Sequence, residues 1–209
     1  MVDAQQQLAA VRRTVGTREL ETGPARVAVL AERLDAPLDE VWDAVTSAER
    51  IPRWFLPISG ELRLGGRYQL EGHAGGTVQR CDPPRSFAAT WEFGGEVSWI
   101  EVRLRPADGG TDLELEHVAH VSEQRWAQYG PGAVGLGWDS MLLGLASHLA
   151  AGGGITPEEG PEWLASAEGL RFLRAGSEAW YEASVAAGTP EPEARAAADR
   201  TLAAYTGQE

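Results

Sequence analysis

Groups able to do chemistry are few in this chain. Four histidines and one cysteine stand among 209 residues, and all 18 basic residues are arginine. Without lysine there is no Schiff-base chemistry, no phosphate-loop lysine and no lysine general base. His117 and His120 are spaced H-x-x-H near a strand end. Residues three apart on a strand point to opposite faces, so the two cannot readily share a metal, and no metal site is expected. His117 shares its predicted face with Leu113 and Leu115, which makes it the one histidine placed to act as an inward base. Glu71 is a second weak catalytic candidate and Glu92 a comparable one: turned inward, either carboxyl would have a raised pKa and could move a proton. Solvated outer-face positions are the favoured reading for both, as for Arg67 and Arg103. Cys81 precedes Asp82-Pro83-Pro84 with no second thiol and reads as a small strand residue. Ser140 lacks the glycines of a nucleophile elbow. Gly130 to Gly135, GPGAVG, fits G-x-G-x-x-G, but Glu123 to Tyr129 before it is poor strand, so a dinucleotide site is rejected and no cofactor is expected.

The elements that must position these groups follow from periodicity. From Gly60 to about His120 apolar residues alternate along six short segments separated by Gly-Gly and Asp-Pro-Pro turns, the pattern of an antiparallel meander with one wet face. The first of them, Glu61–Leu64, is expected to form a hairpin with Arg67–Gly72. Arg26 to Leu34 reads as an earlier strand, Leu38, Val41, Trp42 and Val45 as a short amphipathic helix, and Ala48 to Arg53 as a second short helix capped by Ser47 and broken near Pro52. Gly130 to Gly154 reads as one long helix. Val134, Trp138, Met141, Leu142, Leu145 and Leu149 form its apolar stripe, with Asp139, Ser140, Ser147 and His148 on the other side. Gly152 to Gly154 are expected to stop it. The glycines at 132, 135, 137 and 144 suggest room for a ligand or the sheet.

Residues 1–25 are set apart as an N-terminal extension, 26–154 as the main domain and 155–209 as an acidic helical extension. A chain ending at Gly154 is expected to keep its fold. The formal net charge of −13 disfavours nucleic acid and anionic membrane as partners. The N-terminus has no signal-peptide character and no apolar run reaches a membrane span, so a soluble, cytoplasmic protein is expected. A homodimer is left open.

The order strand, two short helices, six strands, long helix, with the motifs VWDAVTSAERIPRWFLP, GELRLGGRYQL, GTVQRCDPPRSFAATWEF and GGTDLELEH, resembles bacterial members of the SRPBCC (START-like) superfamily. The resemblance is to the group named after the activator of the heat-shock protein 90 ATPase. It covers roughly residues 26–150. It implies an α+β helix-grip fold: a curved antiparallel sheet of about seven strands wrapped round the long helix, with the helical C-terminal extension outside it. It also implies a cavity for a small hydrophobic molecule. The residues expected to line it are Trp54, Phe55, Tyr68, Leu70, Trp91, Trp99, His117, Trp138, Met141, Leu142 and Leu145, with Trp54, Tyr68 and Trp138 at its mouth. The alternatives are a cyclase-, dehydratase- or hydrolase-like enzyme using an inward histidine or carboxylate, and an interaction protein working through its acidic C-terminal helices.

Overall fold

The computed structural model describes residues 2–150 and 155–208. In chain order the elements are α1 (Ala4–Ala10), β1 (Arg12–Leu20), β2 (Gly23–Leu34), α2 (Leu38–Thr46), a 3-10 turn (Ile51–Arg53), β3 (Ile58–Gly60), β4 (Arg67–Leu70), β5 (Gly75–Asp82), β6 (Ser86–Phe93), β7 (Glu96–Ala107) and β8 (Gly110–Ala119). Helices α3 (Glu123–Tyr129), α4 (Gly132–Leu149), α5 (Gly160–Ala165), α6 (Ala167–Ala186) and α7 (Glu191–Thr206) complete the chain. The strands form one antiparallel sheet in the order β1-β2-β8-β7-β6-β5-β4-β3. Helix α4 lies across its concave face, which is the α+β helix-grip arrangement expected from the sequence.

Alternation along the strands decides the two faces. Leu30 and Leu34 of β2, Ile100, Val102 and Leu104 of β7, and Leu113 and Leu115 of β8 point into the core. Their neighbours carry charges on the wet face. There Arg18 of β1 reaches Glu116 with both terminal nitrogens, at 2.8 and 2.7 Å. Arg103 of β7 pairs with Glu101 and Glu114, and Arg80 of β5 also meets Glu101. Arg67 pairs with Glu92 at 2.9 Å. Arg67, Glu92 and Arg103 sit on the outer face where the surface reading puts them, and an exposed pair such as Arg67–Glu92 stabilises by about 1 kcal/mol or less.

Three local readings are corrected. Arg12–Leu20, whose first two residues the sequence places at the end of a short helix over 3–13 and whose remainder it gives no element, is a strand paired with β2 along its whole length. Its alternation is polar and half-exposed, so the hydrophobic signal is weak. Glu61–Leu64 is a loop rather than a strand. Its Leu64 is 61% exposed, and the backbone that follows turns to β5, where the Gly65 N–H donates to the Val78 carbonyl. The strand that pairs with β4 is Ile58–Gly60. The stretch before α4, read from the sequence as a short connecting segment over Ser122 to Tyr129 and as poor strand, is a helix, α3, whose N-cap Ser122 accepts from the Arg125 N–H.

Helix α4 is also buried on the side expected to be polar. Asp139 has no exposed surface, and Leu136 and Leu143 are buried beside it. Helices α1 and α6 cover that side: Leu143 packs with Ala4, Leu8 and Phe172, while Leu173 and Trp180 join the main core. Glycine makes the approach possible. A Cβ at Gly135 would stand 2.2 Å from the Trp180 indole, and one at Gly144 would stand 2.5 Å from the Trp54 carbonyl oxygen. The room at these glycines is therefore filled by the protein itself. Helix α7 packs small residues, Ala194, Ala197 and Ala198, against α6. Its Arg200 and Thr201 donate to the otherwise unpaired carbonyls of Ala127, Gln128 and Tyr129 at the end of α3. Phe172 and Trp180 are among the largest fully buried side chains. The expected stop at Gly152 to Gly154 lies outside the described residues; α4 ends at Leu149, with Ala150 in extended conformation as its cap.

Candidate functional site

Between α4 and the concave face of the sheet lies a cavity of about 290 Å³. Strand β6 supplies Phe87, Ala89 and Trp91 from one face of its alternation, and β4 supplies Tyr68 and Leu70. Helix α4 supplies Trp138, Met141 and Leu145, spaced three and four apart. Trp54 and Phe55, stacked at 5.7 Å, close one flank. Eight of the eleven residues expected at a binding site are thus brought together here: Trp54, Phe55, Tyr68, Leu70, Trp91, Trp138, Met141 and Leu145.

Three are placed elsewhere. Trp99 is on the outer face, because β7 alternates and Ile100 takes the inward position. Its indole meets the His120 ring edge-on and packs near Val118. Leu142 is fully buried but does not line the cavity. His117 is 5% exposed and sits behind the wall, with Trp138 in front of it. Glu71, the weak catalytic candidate, is exposed in the turn after β4, where its N–H donates to the Pro57 carbonyl.

The sequence reading did not select Trp42, Val45, Ile51, Leu62 or the β5–β6 corner as lining. The amphipathic period of α2 places Trp42 beside Val45, but periodicity does not distinguish a wall that bounds space from one that fills it. Trp42 meets Phe87 edge-to-face at 6.3 Å. Cys81 and Pro83 are the exposed members of the lining and mark the rim. Trp54, Tyr68 and Trp138 are all buried, which puts them in the interior wall rather than at the mouth.

Four of the wall's polar side chains are bonded to the protein behind them, whereas the indole N–H groups of Trp42 and Trp91 have no acceptor among the described residues. The Tyr68 hydroxyl donates to the Thr90 carbonyl at 2.7 Å, and Trp54 Nε1 to the Ala44 carbonyl at 3.0 Å. The Thr46 hydroxyl donates to the Trp42 carbonyl at 2.6 Å, and Trp138 Nε1 to His117 Nδ1 at 2.9 Å. No aspartate, glutamate, arginine or histidine belongs to the described lining. Burial, with a smaller contribution from the Glu92 charge, holds the Tyr68 phenol above its ordinary range. Burial pushes His117 down to about 4, so the imidazole is neutral at neutral pH.

Buried charge is found instead on the far side of α4. Arg13 of β1 grips Asp139 with Nη2 at 2.7 Å and Nε at 3.1 Å, and Trp180 Nε1 donates to the other carboxylate oxygen at 2.9 Å. Close by, Gln7 of α1 donates to both oxygens of Glu32 at 3.0 Å. Burial pushes the Glu32 carboxyl up to about 7 against the Gln7 hydrogen bond and the Arg13 charge. Among the described residues no group of three or more histidine, cysteine, aspartate or glutamate side chains is disposed to hold a metal ion, and no helix is long and apolar enough to cross a membrane.

Comparison with known proteins agrees with this geometry. The chain is similar to CalU16 from Micromonospora echinospora. The crystal structure of that protein matches at 37% identity over 83% of this chain and 98% of that one, with a TM-score of 0.66. Its solution structure matches at 33% identity over 95% and 94%, with a TM-score of 0.63. The likeness to MLL2253 from Mesorhizobium loti, at 22% identity over 59% of this chain and 96% of that one with a TM-score of 0.54, is one of fold. No curated protein sequence matches the chain. The family described as "Activator of Hsp90 ATPase homolog 1-like protein" matches residues 35–150, which run from the start of α2 to the end of α4. The chain belongs to this activator of Hsp90 ATPase homolog 1-like family, within the SRPBCC superfamily.

Proposed function

We propose that the protein binds a small, uncharged, mainly aromatic or alicyclic molecule in the cavity between the sheet and α4. The observation that carries the reading is the direction of the wall's donors. Each hydrogen-bonding group of Tyr68, Trp54, Thr46 and Trp138 is spent on the protein behind it. A charged ligand would lose its water there and meet no counter-charge, with the Trp42 and Trp91 indole N–H groups as the uncommitted donors of the wall. An apolar ligand meets indole and phenyl faces, which offer large contact area at little entropic cost. The volume of about 290 Å³ is at the lower end of that of small-molecule sites. An acid–base reaction run by His117 is less well supported, because both ring nitrogens are engaged with protein groups.

The reading is tested by fluorescence titration with the neutral probe N-phenyl-1-naphthylamine. Ala89 lines the cavity and is almost fully buried, so Ala89→Phe fills it from the sheet side. The expected result is saturable binding to the wild-type protein and at least a roughly tenfold loss in the folded variant. Equal binding by both proteins would falsify the cavity as the site.

A further inference from the structure

His117 is the one buried histidine, and it neither lines the cavity nor faces water. Its partners fix its state. Trp138 Nε1–H can only donate, so Nδ1, 2.9 Å away, must be the bare acceptor. A neutral imidazole then carries its proton on Nε2, which donates to Ser98 Oγ at 2.8 Å. That hydroxyl in turn donates to the Trp91 carbonyl at 3.1 Å, across the β6–β7 pair Trp91↔Ser98. The Trp91 ring closes the circuit by lying tilted on Trp138, with centroids 4.9 Å apart. The two indoles at the ends of this chain form one corner of the cavity.

The groups around the imidazole carry no charge. Ala28 stands opposite from β2, Ile100 and Ser98 from β7, and Trp138 from α4. Nothing there would draw His117 into proton transfer. What the geometry provides is an acceptor in one place, matched to one donor.

We infer that His117 is a positioning residue for the binding site: as the Nε2-protonated neutral tautomer it holds the Trp138 indole against Trp91 and so sets the aromatic corner that a ligand meets. The inference rests on the ligand-binding reading above, but the orientation of Trp138 can be measured without any ligand. Unbonded, the Trp138 N–H would be free to turn toward the cavity, and the corner would lose both its shape and its apolar character.

The test compares His117→Leu with His117→Asn. Leucine keeps bulk without an acceptor, whereas asparagine puts an amide oxygen near the position of Nδ1. Two quantities are read: exchange of the Trp138 indole proton by NMR, assigned with Trp138→Phe, and affinity for N-phenyl-1-naphthylamine. His117→Leu is expected to speed the exchange and weaken the probe by about tenfold each, and His117→Asn to bring both within about threefold of wild type. The inference is overturned if the folded leucine variant leaves either quantity unchanged, or if asparagine rescues neither. Should His117→Leu fail to fold, Ser98→Ala decides: it frees the tautomer, so exchange at Trp138 must rise severalfold, and wild-type exchange overturns the inference. If the wild-type protein takes up no probe while exchange responds as expected, the positioning of Trp138 stands and the ligand reading is what fails.

Discussion

Helix α4 is buried on two sides by opposite means. Toward the sheet it presents Trp138, Met141 and Leu145 to a cavity whose described lining holds no charged side chain. Toward α1 and α6 it presents Asp139, wholly enclosed, to Arg13 and Trp180. One side is apolar and bounds the larger cavity; the other encloses a charge. The contrast follows from what each neighbour can supply. Large aromatic rings on a curved sheet cannot collapse into one another, so volume survives between them. On the far side Gly135 lets the Trp180 ring lie directly on the helix backbone, and a buried charge is tolerable because each of its oxygens is bonded. The charged side therefore acts as the anchor that lets the apolar side remain open.

The comparison is broken most severely at Asp139. Asp139→Ala leaves the Arg13 guanidinium buried without its partner and the Trp180 N–H without an acceptor. A loss of about 3–5 kcal/mol is expected in urea unfolding. Replacing Arg13 together with Asp139 by apolar residues should recover much of it. A single variant as stable as wild type would show that the pair is not an anchor.

Titration sharpens the contrast, because the two sides respond to pH with opposite sign. Glu32, on the charged side, has its carboxyl pushed from 4.5 up to about 7 by burial. The folded state then holds this proton more tightly than the unfolded chain, so stability falls as pH rises from 4.5 through about 7, by roughly 3 kcal/mol in all. His117, on the cavity side, is pushed from 6.5 down to about 4. There the unfolded chain binds the proton first, so stability is lost as pH falls from 6.5 through about 4, by a similar amount. Between 4.5 and 6.5 the two slopes oppose each other. Relative to wild type, Glu32→Gln should gain stability with rising pH, and His117→Asn with falling pH. Parallel pH profiles for the two variants would contradict this.

A smaller effect separates close packing from open space along α4 itself. Gly135→Ala drives a methyl into the Trp180 ring and should cost about 1–3 kcal/mol. At Gly137 the nearest atom to a new Cβ is the Tyr205 hydroxyl, at 3.5 Å, so Gly137→Ala should be neutral or stabilising by up to about 1 kcal/mol. Thermal unfolding of the two variants checks the difference, and equal shifts would mean that Trp180 yields easily.

The apolar side was far more legible in the sequence than the charged one. Strand alternation and the spacing of three and four along α4 placed Tyr68, Trp91, Trp138 and Met141 on facing surfaces, because burial imposes those periods directly. The same alternation also puts Trp99 outside, through the inward phase of Ile100. Nothing local announces that Arg13 and Asp139, 126 positions apart, share a dry pocket. Residues of those types are ordinarily exposed, and a pattern of types carries no pairing information. Which inward residues bound space rather than fill it is equally unwritten, since that depends on the volumes of groups brought together from β4, β6, α2 and α4.

Strand β1 was missed for its polarity, and that polarity has a use. As the first strand of an open sheet it leaves one row of backbone donors and acceptors without a strand neighbour. A long apolar strand in that position would invite a strand from another molecule to add on. Arg12, Thr14, Arg18 and Glu19 make such an addition unfavourable, and α6 packs against part of the strand. The character that hides β1 from pattern reading also disfavours the addition of a further strand at that edge.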